Sequence, residues 1–190
     1  MLKDCFKKGV REAGCDEAGR GCLAGPVFAA AVVTGPDFSV SGLTDSKKVS
    51  EKERYRLREA IIEKADAWAV ASADNTEIDR INILNATMLA MNRAISLLPF
   101  RPEHLVIDGN YFRSRNGIPF HTVVRGDAKF RSVAAASILA KTFRDDYMRQ
   151  IHLEHRYFGW DRNKGYPTRE HREAIQRYGV TDYHRTTFRF

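Results

Sequence analysis

Two adjacent carboxylates, Asp16 and Glu17, are followed almost at once by Gly19-Arg20-Gly21 in the stretch GCDEAGRGCLAGP. Two further acids, Asp108 and Asp127, stand far along the chain in an Asp-Gly and a Gly-Asp pair. Carboxylates held a few ångströms apart repel and raise one another's pKa, so a fold keeps them together only where protons or cations compensate. Two acids sharing a proton suit general acid–base work. Three or four acids facing one spot suit a hard divalent cation, since magnesium takes oxygen ligands, and magnesium suits hydrolysis of phosphate esters. The glycines around Arg20 let backbone approach a ligand closely and can present N–H groups to an anion. Arg20 can neutralise an acid or reach a phosphate.

Each feature also has an ordinary reading. Asp-Gly pairs are common turns, and Arg20 could form a structural salt bridge with Glu17. Neighbours in a regular strand point to opposite faces, so Asp16 and Glu17 serve one site only if the strand ends there. The coincidence of three acidic places on a basic chain favours a site.

The elements that must position these residues follow from periodicity. A strand is expected over about 10–18, ending at the glycine turn. Val27 to Val33, VFAAAVV, is a continuous apolar run that fits a strand buried on both faces, broken by Pro36. Ser50 and Glu53 form a capping-box pattern ahead of a helix carrying Leu57, Ile61 and Ala65. Trp68 to Ala73 alternates as a strand. Ile81, Leu84, Met88, Met91, Ile95 and Leu98 make one apolar stripe of a long helix. HLVIDGN and HTVVRGD read as strands ending in Asp108-Gly109 and Gly126-Asp127. A third long helix over about 132–154 should bury Val133, Ala136, Ala140, Phe143, Tyr147 and Ile151, with Lys141, Arg144 and Asp145 on the opposite side. A short last helix has Thr168 as N-cap and Gly179 past its end. Interleaved strands and helices mean an α/β fold, with a mixed sheet because the early connections are short. Asp16, Asp108 and Asp127 then fall at or just after strand carboxyl ends, where open α/β sheets bind ligands.

The 190 residues fit one domain, with no repeat or linker. Net charge is +7, from 31 basic and 24 acidic residues, which favours a polyanionic partner. The basic, aromatic stretch HRYFGWDRNKGYPTREHR strengthens this. No apolar run approaches a membrane span, and no secretory h-region is visible. The three cysteines include no CxxC, so a reducing cytoplasm is expected, with Cys15 and Cys22 as buried thiols rather than zinc ligands. His152 and His155 read as a solvated face. No Walker-type phosphate loop appears, which argues against a phosphotransferase.

DEAGRG (16–21) with GPV (25–27), LTDSKK (43–48), VIDGN (106–110), GDAK (126–129), SVAAASILAKTFRD (132–145) and NKGYPT (163–168) together closely resemble type 2 ribonuclease H of the bacterial ribonuclease HII kind. The resemblance implies a ribonuclease H-like fold: a central five-stranded mixed sheet flanked by helices, with a helical C-terminal part over about 155–190. It implies endonucleolytic hydrolysis of the RNA strand of RNA–DNA hybrids. It also implies a nick on the 5′ side of a single ribonucleotide embedded in duplex DNA, leaving 3′-hydroxyl and 5′-phosphate ends. Magnesium or manganese is implied, two ions per site with substrate. By the same resemblance Asp16, Glu17, Asp108 and Asp127 are the metal ligands, Gly19, Arg20 and Gly21 sense the ribonucleotide's 2′-hydroxyl, Tyr166 packs on the following sugar, and Lys47 contacts a phosphate. A monomer without membrane attachment is expected. The terminal FRF has two readings, a sliding-clamp peptide or a packed tail. The competing functional reading is a non-catalytic RNA/DNA-binding module, which the set of four acids opposes because they would repel phosphate without metal.

Overall fold

The computed structural model describes residues 2–190. Five strands form one sheet in the order β3-β2-β1-β4-β5. They are β1 Glu12–Ala18, β2 Val27–Val33, β3 Ala67–Ala73, β4 His104–Asp108 and β5 Phe120–Val123. β1, β2 and β3 are antiparallel neighbours, whereas β4 runs parallel to β1 and β5 parallel to β4. The helices are α1 Glu51–Lys64, α2 Asn75–Ser96, α3 Arg131–His152, α4 Trp160–Asn163 and α5 Arg169–Tyr178.

Strand parity sorts the sheet into two faces. Ala13, Cys15, Ala29, Ala31, Leu105 and Ile107 meet Met88, Met91 and Ile95 of α2. Ala18, Ala30 and Val32 meet Leu57 and Ile61 of α1 and Ile138 and Leu139 of α3. β2 is covered on both faces, which is why its sequence is apolar throughout. Gly14 lets α3 lie directly on β1: a Cβ there would stand 2.4 Å from the Val133 nitrogen.

Several expectations change. Ser50 caps α1 by accepting from the Glu53 N–H, but the Glu53 carboxylate is held by Arg56, so only half of the capping box forms. The stripe on α2 is not continuous. Asn82 breaks the helix with φ 66° and ψ 164°, and Leu84 turns out to solvent at 41% exposure. β5 stops at Val123. Arg125 then takes the left-handed conformation, and Asp127 lies in a 3-10 turn, Gly126–Ala128, rather than at a strand end. On α3, Arg144 and Asp145 are buried rather than set on an open side, while Phe143 and Tyr147 are only half-buried.

A third cluster joins Leu23, Ala24, Met148, Phe158, Trp160 and Ile175 beyond the end of the sheet. The last segment seals it. His184 pairs with Ala24, the Arg185 N–H donates to the Leu23 carbonyl, and the Gly25 N–H donates to the Tyr183 carbonyl. Thr186 and Thr187 donate to both oxygens of Asp79, and Phe188 packs on the core. The tail is therefore packed. No helix among the described residues is long and apolar enough to cross a membrane.

Candidate active site

The parallel register of β1 and β4 sets the first pair of acids. Gly14 stands beside Val106 and Cys15 beside Ile107, so one step further Asp16 comes opposite Asp108 on the face covered by α3. Asp16 is buried, accepts from the Glu17 N–H at 2.7 Å, and has no cationic partner among the described residues. Asp108 accepts from the Gly126 N–H at 2.6 Å, which draws the turn carrying Asp127 toward β4. Glu17 is still within β1, paired with Ala29. It points to the other face, as alternation requires, and reaches the same cleft because the chain turns two residues later.

The electrostatics record this crowding. Burial, then the charges of Glu17 and Asp108, push the Asp16 carboxyl well above the usual carboxylate range. Burial also raises Glu17, against the opposing pull of Arg20. Asp127 is raised by burial and then by the negative charge of Asp108. Yet no three His, Cys, Asp or Glu side chains among the described residues are drawn into a finished metal-ligand set. The donor chemistry nonetheless fits a hard divalent cation: oxygen ligands only, partly desolvated, with excess negative charge and a buried Asp16 that no cation pairs.

A cleft of about 220 Å³ opens beside these acids. Asp16 and Glu17 line it together with Gly19, Arg20, Gly21, Lys47 and Tyr166. Asp108 and Asp127 are not in its lining and act on it through their charges. Arg20 reaches back to Glu17 at 3.2 Å, so the ordinary salt-bridge reading of the turn is also realised. Lys47 follows Asp45, which caps the 3-10 turn Ser46–Lys48, and its charge pulls down both Glu17 and Asp127. Tyr166 is 39% exposed, and its N–H donates to the Asn163 carbonyl.

Four polar lining residues had no site role in sequence. Ser46 and Ser137 share a buried hydroxyl–hydroxyl bond of 2.8 Å. Lys141 pairs with Asp145 at 2.6 Å and lies over the Tyr166 ring at 5.7 Å. Arg54 donates to the Ser46 and Val49 carbonyls, leaving its buried Nε without a partner. Only the Lys141–Asp145 spacing of four on a helix carried a signal. Beneath the turn, Arg144 donates to the carbonyls of Ala24, Pro26 and Lys164. Gly19 has φ +97°, and a Cβ there would stand 2.0 Å from the Arg144 Nε, so glycine is required twice over.

A mixed five-stranded sheet with acids from two neighbouring parallel strands beside a cleft of acids and cations is a ribonuclease H-like architecture, and the relatives of the chain make it a metal-dependent ribonuclease H, a hydrolase. The family model described as Ribonuclease HII matches residues 13–190. The ribonuclease HII of Parabacteroides distasonis is 59% identical over 99% of this chain and 94% of its own length. Among solved structures, ribonuclease H2 from Pyrococcus horikoshii OT3 superposes with a TM-score of 0.77 at 25% identity, covering 94% of this chain and 93% of its own. Bst-RNase HIII, solved in complex with Mn2+, has a TM-score of 0.70 at 24% identity over 89% of this chain and 63% of its own, and shows the fold. The chain belongs to the ribonuclease HII family.

Proposed function

We propose that the protein hydrolyses the RNA strand of RNA–DNA hybrids endonucleolytically and nicks duplex DNA 5′ of a single embedded ribonucleotide. The observation that carries this is the cleft itself. Asp16 stands opposite Asp108 across β1 and β4, and the Gly19-Arg20-Gly21 turn, Lys47 and Tyr166 share the cleft wall with Asp16. Asp16, Glu17, Asp108 and Asp127 would hold the divalent cations, two of Mg2+ or Mn2+. Bound there, they would supply Lewis-acid stabilisation of the phosphate and a more acidic attacking water.

The chain's own residues do the rest. The acids carry negative charge that burial leaves uncompensated, which is the charge a bound cation would neutralise. Arg20, Lys47 and Lys141 set cations around the cleft and draw in a phosphate backbone. The backbone of Gly19 to Gly21 presents its polar groups to a sugar edge, where a 2′-hydroxyl distinguishes RNA from DNA. Tyr166 offers a ring face to the next sugar. Water adds to the phosphorus and the bond to the upstream O3′ breaks, leaving a 3′-hydroxyl upstream and a 5′-phosphate on the ribonucleotide. Gly21 and Asp16 line one small cleft, which keeps the recognised sugar next to the bond being cut.

The test is a duplex bearing one ribonucleotide, incubated with Mg2+ or with Mn2+. A single nick at its 5′ side is expected. No nick, or one elsewhere, would sink the proposal. Tight binding without metal-dependent cleavage would favour the binding-module alternative. Clamp docking through the tail would have to use Phe190, which is 42% exposed, because Phe188 is already packed.

A further inference from the structure

Arg185 is fully buried and has no carboxylate partner among the described residues. Instead its guanidinium donates to three backbone carbonyls: Nε to Gly25 at 2.9 Å, one terminal nitrogen to Arg20 at 2.9 Å, the other to Gly19 at 2.7 Å. Burying a cation without a counter-ion is costly, and an apolar side chain would fill the same space more cheaply. What the guanidinium adds is a fixed fork of donors.

That fork has a geometric consequence. A trans peptide is planar, with C=O and N–H pointing in opposite directions. The Gly19 carbonyl shares its plane with the Arg20 N–H, and the Arg20 carbonyl shares its plane with the Gly21 N–H. Both carbonyls are pulled inward to Arg185, so both N–H groups turn outward, on the side where Gly19, Arg20 and Gly21 line the cleft. Neither N–H donates to an acceptor among the described residues. Two consecutive free N–H groups make a concave donor pair for one oxygen.

We infer that Arg185 is a positioning residue: from beneath the Gly19-Arg20-Gly21 turn it orients two peptide planes so that the Arg20 and Gly21 N–H groups form a ready donor pair for a sugar or phosphate oxygen of the bound strand. The inference rests on the functional reading above. Arg185 touches no reacting atom, and its role is exercised wholly through the backbone of the turn.

Arg185→Met keeps bulk and removes the fork, while Arg185→Lys keeps the charge and can reach one or two carbonyls. Both are compared with wild type for cleavage of a duplex with one ribonucleotide, at temperatures where each variant is folded. The Met variant should lose at least about tenfold in kcat/KM, with partial recovery in the Lys variant. Affinity for an all-DNA duplex should stay within about twofold, because the rim cations are untouched. Amide resonances of Arg20 and Gly21 provide a readout that survives even if a variant fails to fold. In wild type, without metal, both should shift on adding the ribonucleotide duplex. A shift with that duplex alone identifies the sugar hydroxyl as the acceptor, and an equal shift with all-DNA duplex identifies phosphate. Unmoved amides, a fully active Met variant, or a Lys variant no better than Met would overturn the assignment. Failure of the wild type to nick at the ribonucleotide would instead sink the functional reading.

Discussion

Asp16 is buried in β1 with three acids near it and no cation beside it, so in the metal-free protein its charge opposes folding. Asp16→Asn should abolish the nick while duplex affinity is largely retained. It should also raise metal-free stability by about 1–2 kcal/mol, a few degrees in Tm for a chain of this size. The folded pKa is raised, so the burden is full above that raised value and fades as pH falls from it toward the ordinary carboxylate range. Calorimetry with and without Mg2+ checks both halves: the ion should raise the wild-type Tm and leave the variant's unchanged. A variant less stable than wild type, or one that still cuts, contradicts the metal role. Tyr166→Ala addresses the other end of the cleft. Activity on a single embedded ribonucleotide should fall more than affinity does, and more than activity on a uniform hybrid. An unchanged ratio between those two substrates counts against a sugar-packing role.

Among the elements, α2 holds the clearest local conflict. Asn82 sits at φ 66° and ψ 164°, a region open essentially to glycine alone, yet its side chain accepts from the Asn85 N–H and caps the helix that restarts there. Asn82→Gly relieves strain and loses only a modest cap, whereas Asn82→Ala keeps the strain and loses the cap. The Gly variant should therefore exceed the Ala variant by about 1 kcal/mol or more in urea unfolding. Equal stabilities would mean that the break is not strained. The same residue explains a misread pattern: a polar Asn inside an apolar stripe carries no mark of a restart, so Leu84 joins the stripe in sequence and solvent in the fold. β2 was legible in full because burial on both faces leaves an unmixed apolar run. The ends of α5 were legible because Thr168 and Gly179 act locally. The buried side of α3 was not, since Arg144 and Asp145 are charged and their partners are carbonyls and a lysine that only the fold supplies. Asp16 and Asp108 could be suspected from sequence, but their pairing needed the β1–β4 register.

Across the whole molecule, the C-terminal part is tied to the cleft by a chain of neutral rings. The Thr181 N–H donates to His184 Nδ1, so His184 carries its hydrogen on Nε2 and offers it to His171 Nε2 at 3.2 Å. Trp160 donates to that same His171 nitrogen, leaving the Nδ1 hydrogen of His171 for the Tyr166 carbonyl at 3.0 Å. Burial, then His171, pushes His184 down from 6.5 to about 4, and burial lowers His171 as well. The unfolded chain binds the extra proton first, so stability is intact above about 6.5 and is lost as pH falls toward 4. The loss should be on the order of 3 kcal/mol for His184. Urea unfolding between these limits should show this slope, and His184→Gln should flatten it. An equal slope in the variant would mean that other groups set the acid limit. No reading of composition could find this chain of rings, because it joins three separate segments through ring nitrogens alone.

The grip of Arg185 on Gly19 spans 166 positions of sequence. Synthesis runs from the N-terminus, and early segments begin to fold before later ones exist. The acids and the turn of the first strand therefore leave the ribosome long before the residue that sets the turn's peptide planes. The turn beside the acids is therefore left without the guanidinium that holds its carbonyls for nearly the whole of the chain's synthesis.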